Sequence, residues 1–189
     1  MAIIVIIGIS TALAAPTFRG WIEQENFRTR SARVFETINT VRTNAFSEKP
    51  CPVSGQAAIA WEFSLDDDDA DSLDEFGVYC IWMSGTEQRE LFMYDGETED
   101  DFILTKDYLQ HIAYFGAGTG DSATEFTIRF STDKKIAVID NDFSHEYVRL
   151  RLDRLSPVNR SNIVETDTIC FHRIGAYAFL SPDGDCSEL

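Results

Sequence analysis

Hydrophobic and polar positions divide the chain into three regimes. AIIVIIGISTALAAP, residues 2–16, contains no charged side chain. After Gly20 no Gly or Pro occurs until Pro50, and Phe27, Val34, Ile38, Val41 and Ala45 recur at spacings near three and four. Arg28, Arg30, Arg33, Glu36 and Arg42 fall on the other faces. That period belongs to an amphipathic helix. The two stretches together predict one long helix, apolar all round in its first half and one-sided in its second.

From Cys51 onward the period shortens to two. In EFTIRF, Phe126, Ile128 and Phe130 alternate with Glu125, Thr127 and Arg129. In YVRLRLD, Val148, Leu150 and Leu152 alternate with Arg149 and Arg151. Strict alternation places one face in a core and the other in water, as in antiparallel sheets. Short aromatic and β-branched runs at 57–63, 76–83, 90–94, 135–140, 168–172 and 176–180 add further predicted strands. No second helix of comparable length intervenes, so βαβ units are not indicated. The expected fold is α+β: a long N-terminal helix within residues 1–49, packed on a C-terminal antiparallel β-sheet domain over residues 50–189.

Composition narrows the partners. The chain has 189 residues, 44% of them hydrophobic and 12% aromatic, enough for one domain with a real core. Its 16 basic against 32 acidic residues repel phosphate backbones, so no nucleic-acid partner is expected. Cys51, Cys80, Cys170 and Cys186 form no CxxC pair and lack the close histidines of a zinc site. An even, scattered set reads as two disulfides, which requires an oxidising compartment and therefore export. The alternative is four buried free thiols in a cytosolic protein.

Export directs attention back to the opening segment, for which three readings compete: a secretory signal, a membrane helix, or a buried strand of a cytosolic core. Ala12-Leu13-Ala14 suits a signal cleavage site, but no Lys or Arg precedes Ile3 to form the basic region a signal needs. A membrane helix needs about 20 apolar residues, more than the stretch from Met1 to Ala15 supplies. The amphipathic continuation decides for a helix whose head sits in lipid and whose tail packs on the domain.

IIVIIGISTALAAPTF, with Gly8, its small residues and Pro16 followed by an aromatic, resembles the N-terminal helix of type IV pilins and type II secretion pseudopilins. RTRSARVFETINTVRTNAF resembles the second half of that helix in the minor pseudopilins of the H class. The likeness covers about a quarter of the chain. It implies that Ile3, Ile4, Val5, Ile6, Ile7, Gly8, Ile9, Leu13 and Pro16 belong to a helix that serves first as membrane anchor and then as assembly surface, with a kink at Pro16. Counting back from Pro16, the family's leader peptide, its glycine and its acidic residue would fall before Met1. With about six further residues the apolar span reaches ~21, enough to cross a bilayer. The partners so implied are other pilin or pseudopilin subunits, an inner-membrane assembly platform with its motor ATPase, and membrane lipid. The β domain is expected in the periplasm.

The resemblance also bears on the cysteines, for which three pairings exist. Cys170 lies on a predicted strand, and the Ser181-Pro182-Asp183-Gly184 turn brings Cys186 back toward it, like the C-terminal loops of many pilins. Cys51, just after the helix, would then bond to Cys80 within a strand.

No catalytic chemistry emerges, and no enzymatic activity, cofactor or metal is expected. His111, His145 and His172 lie on or beside strands without a nucleophile elbow or an HExxH-like neighbour. GAGTG at 116–120 is followed by no Lys-Ser or Lys-Thr and by a strand rather than a helix, so it reads as a hairpin loop. In LDDDDADSLDEF at 65–76, Asp67, Asp69 and Asp71 have the alternate spacing that begins a calcium loop. Ser72, however, stands where the loop needs Gly, and Val78 where it needs Glu. A solvated, mobile acidic loop is expected, and another at 86–102 around Asp95-Gly96. Asn159-Arg160-Ser161 is a formal glycosylation sequon. The expected function is a non-enzymatic minor pilin or pseudopilin subunit. The competing expectations are a secreted, disulfide-bonded β domain that binds a partner, and a hydrolase whose site the sequence does not reveal.

Overall fold

A computed structural model describes residues 2–68, 73–95, 109–115, 122–123, 126–138, 147–156, 162–172, 177–181 and 186. Side chains are defined from Gly20 onward, except at 66–68, 73–75, 94–95, 109–115, 122–123, 126, 137–138, 147 and 177–180.

One helix, α1, runs without interruption from Ala2 to Phe46 and passes through Pro16. Its buried residues Phe27, Ser31, Val34, Ile38, Val41 and Ala45 fall one turn apart and form a single stripe. Burying each large apolar member of that stripe contributes roughly 1.5–3 kcal/mol, which offsets the modest helix propensity of Val34, Thr37, Ile38 and Val41. The helix ends in a Schellman turn. The Lys49 amide donates to the Asn44 carbonyl at 3.0 Å, the Glu48 amide donates to Ala45 at 3.1 Å, and Glu48 takes the left-handed conformation with φ 53°.

Ten strands follow. They are β1 (Ala58–Asp68), β2 (Leu73–Ser84), β3 (Thr86–Asp95), β4 (Leu109–Phe115), β5 (Ser122–Ala123), β6 (Phe126–Ser131), β7 (Ile136–Val138), β8 (Tyr147–Leu155), β9 (Ile163–His172) and β10 (Tyr177–Ser181). They form two antiparallel sheets of order β3-β2-β1-β6-β7 and β10-β9-β8-β4-β5. The chain therefore visits the first sheet, leaves for the second, returns and leaves again. Helix α1 contacts β1 and β6 of the first sheet and β9 and β10 of the second, so its apolar stripe is shared between them.

The alternation predicted for β6 and β8 is what joins the layers. Trp61, Phe63 and Leu65 of β1, Phe76 and Val78 of β2, and Ile128 and Phe130 of β6 meet Val148, Leu150 and Leu152 of β8 and Ile169 and Phe171 of β9 in one core with the helix stripe. Trp61 meets Phe92 edge-on at 5.3 Å, and Phe46 of the helix meets Phe130 at 6.3 Å.

Three expectations require correction. The acidic stretch 65–76 is not wholly a loop: Asp66, Asp67 and Asp68 continue β1 and pair in register with Glu75, Asp74 and Leu73 of β2. Leu65 and Phe76, buried at the base of these arms, carry the ladder outward against the poor strand propensity of Asp. The strand expected at 90–94 is longer and runs over Thr86–Asp95, taking in the first part of the second acidic stretch, because β3 pairs with β2 along its length. Strands β4 and β5 were not anticipated, and β9 begins five residues earlier than 168.

Candidate functional site

The packed half of α1 is fastened to the β domain differently at its two ends. Toward the N-terminal end the fastening is polar. Arg154 of β8 reaches Glu23 at 3.6 Å and Glu165 of β9 at 3.4 Å. Glu165 also accepts from Gln24 Nε2 at 3.3 Å and from Arg28 Nε at 3.4 Å. One carboxylate on β9 thus accepts from two helix side chains at the long end of hydrogen-bond distance and forms an ion pair with Arg154 of β8. Two residues along β9, Asp167 lies close to Ser31 and Arg28 of the helix; burial pushes its carboxyl above the usual value, with the nearby Glu165 charge adding to the effect.

At the C-terminal end the fastening is backbone and covalent. The indole Nε1 of Trp61 donates to the Lys49 carbonyl at 3.3 Å. Cys51 is bonded to Cys80 of β2, with Cα atoms 5.5 Å apart. The turn after Cys51 is held by Glu90 of β3, whose two carboxylate oxygens accept from the Val53 and Ser54 amides at 3.0 Å each. Desolvation raises the Glu90 carboxyl, but hydrogen bonds from the Ser54 side chain and the two amides outweigh it and hold the group below its usual value.

On the face of the first sheet turned away from the helix, an ion-pair network crosses four strands. Glu62 of β1, 1% exposed, receives Arg129 Nε of β6 at 2.6 Å and Arg89 Nε of β3 at 3.1 Å. Arg129 also makes a bidentate pair with Glu87 of β3, at 2.7 and 3.0 Å, and this hydrogen bonding is the chief cause of the lowered Glu87 carboxyl. The Arg89 guanidinium lies 3.5 Å from the centroid of the Tyr79 ring on β2. With every charge paired across strands, the network fixes register rather than presenting an open charge to a substrate.

The residues singled out in the sequence are distributed as follows. Ile3, Ile4, Val5, Ile6, Ile7, Gly8, Ile9, Leu13 and Pro16 all lie on the α1 backbone, and their side chains fall outside those described. Among the described residues no helix is long and apolar enough to cross a membrane. The cysteines form two bonds, Cys51 to Cys80 and Cys170 to Cys186, the second with Cα atoms 5.6 Å apart. His111 is on β4 and half-buried His172 ends β9. His145, the GAGTG stretch, the sequon, the Pro182–Asp185 segment, and Asp69, Asp71 and Ser72 of the calcium-like stretch lie outside the described residues. Cys51, Cys80 and Glu90 bring three metal-ligating atoms within 4.8 Å of one another, but the two sulfurs are bonded to each other.

Sequence reasoning found the apolar stripe and the cysteines. It missed the polar fastening of the helix, the clasp of Glu90 on the turn after Cys51 and the ion-pair network, because Glu62, Glu87, Glu90 and Glu165 carry no local signal: each meets partners from segments distant in sequence. Comparison of the chain with protein-family models, curated proteins and solved structures found no match.

Proposed function

We propose that the chain is a non-enzymatic filament subunit of the pilin or pseudopilin kind, anchored in a membrane by the N-terminal half of α1 and assembled through that half into a type IV pilus or a type II secretion pseudopilus. The observation that carries this reading is the division of labour within one unbroken helix. Residues 27–45 provide a spine that both sheets pack on, while residues 2–18 continue the same helix with a sequence free of charge. A subunit built this way transmits the position of its helix rigidly to its β domain. It also lets one apolar surface face lipid first and sister helices later, since both are low-dielectric surroundings. The two disulfides suit a β domain that matures in an oxidising space such as the periplasm.

The test uses the full chain produced from its natural start, together with its assembly machinery. Carbonate-washed membranes are expected to retain the protein; complete release as a soluble species would favour a secreted β domain instead. Ile7→Lys is expected to abolish filament incorporation while both disulfides still form, and normal incorporation of that variant would exclude the filament role.

A further inference from the structure

The contacts along β9 fix how that strand lies beside the helix. Glu165 meets Gln24 and Arg28, and Asp167 lies near Arg28 and Ser31, so β9 and α1 ascend side by side in the same direction. Followed backwards, the two residues from Glu165 to Ile163 cover about 6.6 Å of strand, and a similar distance is about four helix residues. Ile163 and Val164 therefore lie level with the helix where Trp21 and Ile22 stand. All four are exposed: Trp21 by 59%, Ile22 by 40%, Ile163 by 49% and Val164 by 52%. Two exposed apolar pairs from elements far apart in sequence thus share one end of the domain. It is the end from which α1 continues toward the apolar residues 2–18, and it is opposite the Cys51–Cys80 bond.

We infer that this end is a lipid-facing foot: Trp21 and Ile22 together with Ile163 and Val164 rest in the interfacial layer of a bilayer, so that the β domain stands directly on the membrane. The inference rests on the anchoring proposed above and extends it from the helix to the domain. Lipid is favoured as the occupant because the foot is continuous with the apolar helix segment, whose residues 2–18 rise about 26 Å at 1.5 Å per residue, close to the ~30 Å hydrocarbon thickness. An indole placed at the end of such a span sits at headgroup depth, where Trp is enriched. Glu23 and Glu165, each paired with Arg154 just above the foot, stay on the aqueous side.

The experiment places the full chain in phosphatidylethanolamine and phosphatidylglycerol nanodiscs that carry a headgroup nitroxide, and reads amide broadening by NMR. Flotation with vesicles of the same lipids is the separate measure of anchoring. Amides of 20–22 and 162–164 are expected to broaden strongly, and those of 88–91 on β3, at the opposite end, to stay sharp. Ile163→Ser combined with Val164→Ser is expected to relieve the broadening at 162–164 several-fold while the chain still floats. A floating chain whose 162–164 amides are spared, or are broadened equally in the double variant, overturns the foot and leaves anchoring intact. Concentration-dependent self-association through these residues in detergent overturns it in favour of a second copy. A chain that does not float overturns anchoring and the foot together.

Discussion

The ring of Tyr79 lies over Gly77 on the same strand, so close that a Cβ at position 77 would stand 2.5 Å from Tyr79 Cε2 and 2.7 Å from its hydroxyl. The ring is held there by Arg89 stacked on it, so it does not swing aside freely. Gly77→Ala is expected to destabilise the domain by about 1–3 kcal/mol through this overpacking. Combined with Tyr79→Ala it should cost less than the two single changes summed. Urea unfolding of the four proteins measures the coupling; strict additivity would show that the two residues do not compete for space.

Glu62 is the anchor of the four-strand ion-pair network, and its loss leaves Arg129 and Arg89 without their shared acceptor. Glu62→Gln is expected to cost about 2–3 kcal/mol, read as a lower urea midpoint at unchanged slope. Glu87→Gln, at the exposed end of the same network, should cost far less.

Two carboxyls respond to pH in opposite senses. The Glu87 carboxyl is held below its ordinary value of 4.5, so its contribution is present above that value and lost as pH falls through the folded pKa. The Asp167 carboxyl is raised above 3.8, so its contribution is fully present below that value and lost as pH rises through the folded pKa. Asp167→Asn is therefore expected to raise Tm at pH 7 with a gain that vanishes near pH 3. Glu87→Gln is expected to lower Tm at pH 7, with a difference that shrinks as pH falls below 4.5. Thermal unfolding monitored by circular dichroism decides, and a lower Tm for Asp167→Asn at pH 7 would contradict the assignment.

The two disulfides close spans of 29 and 16 residues. Restricting the unfolded chain over those spans contributes about 3.6 and 3.1 kcal/mol respectively. Paired Cys→Ser variants at Cys51 with Cys80, and at Cys170 with Cys186, should lose comparable amounts. Mass spectrometry of the unreduced, alkylated protein from its native compartment should find both linkages and no alkylated thiol.

Glu48 holds the left-handed position of the Schellman turn with a side chain that pays a steric cost there. Glu48→Gly is expected to leave stability unchanged or raise it by up to about 1 kcal/mol, whereas Glu48→Val should lower it. A Tm at or above that of the parent for Glu48→Gly, and below it for Glu48→Val, is the expected result.

Much of the architecture was legible because it rests on periodicity. The helix stripe of Phe27, Val34, Ile38, Val41 and Ala45, and the alternation of Phe126 to Phe130 and Val148 to Leu152, follow from burial on one face and need no distant partner to be seen. What escaped was decided by pairing. Asp66 to Asp68 are strand because Leu65 and Phe76 start a ladder that continues past them. Residues 163–167 are strand because β8 lies alongside, although Glu165 and Asp167 interrupt any apolar run. The polar fastening of the helix escaped for the same reason, since nothing near Gln24 in sequence announces Glu165, 141 residues away.

The bond between Cys51 and Cys80 also determines how the molecule bears a pull. Tension drawn along α1 reaches the first sheet by two routes, through the chain into β1 and through the sulfurs into β2. Both strands are interior, each flanked by a hydrogen-bonded neighbour on either side. The load is therefore shared across many ladder bonds in parallel, with no outer strand offered for peeling. A helix joined to its domain in this way serves as a tow line as well as a spine.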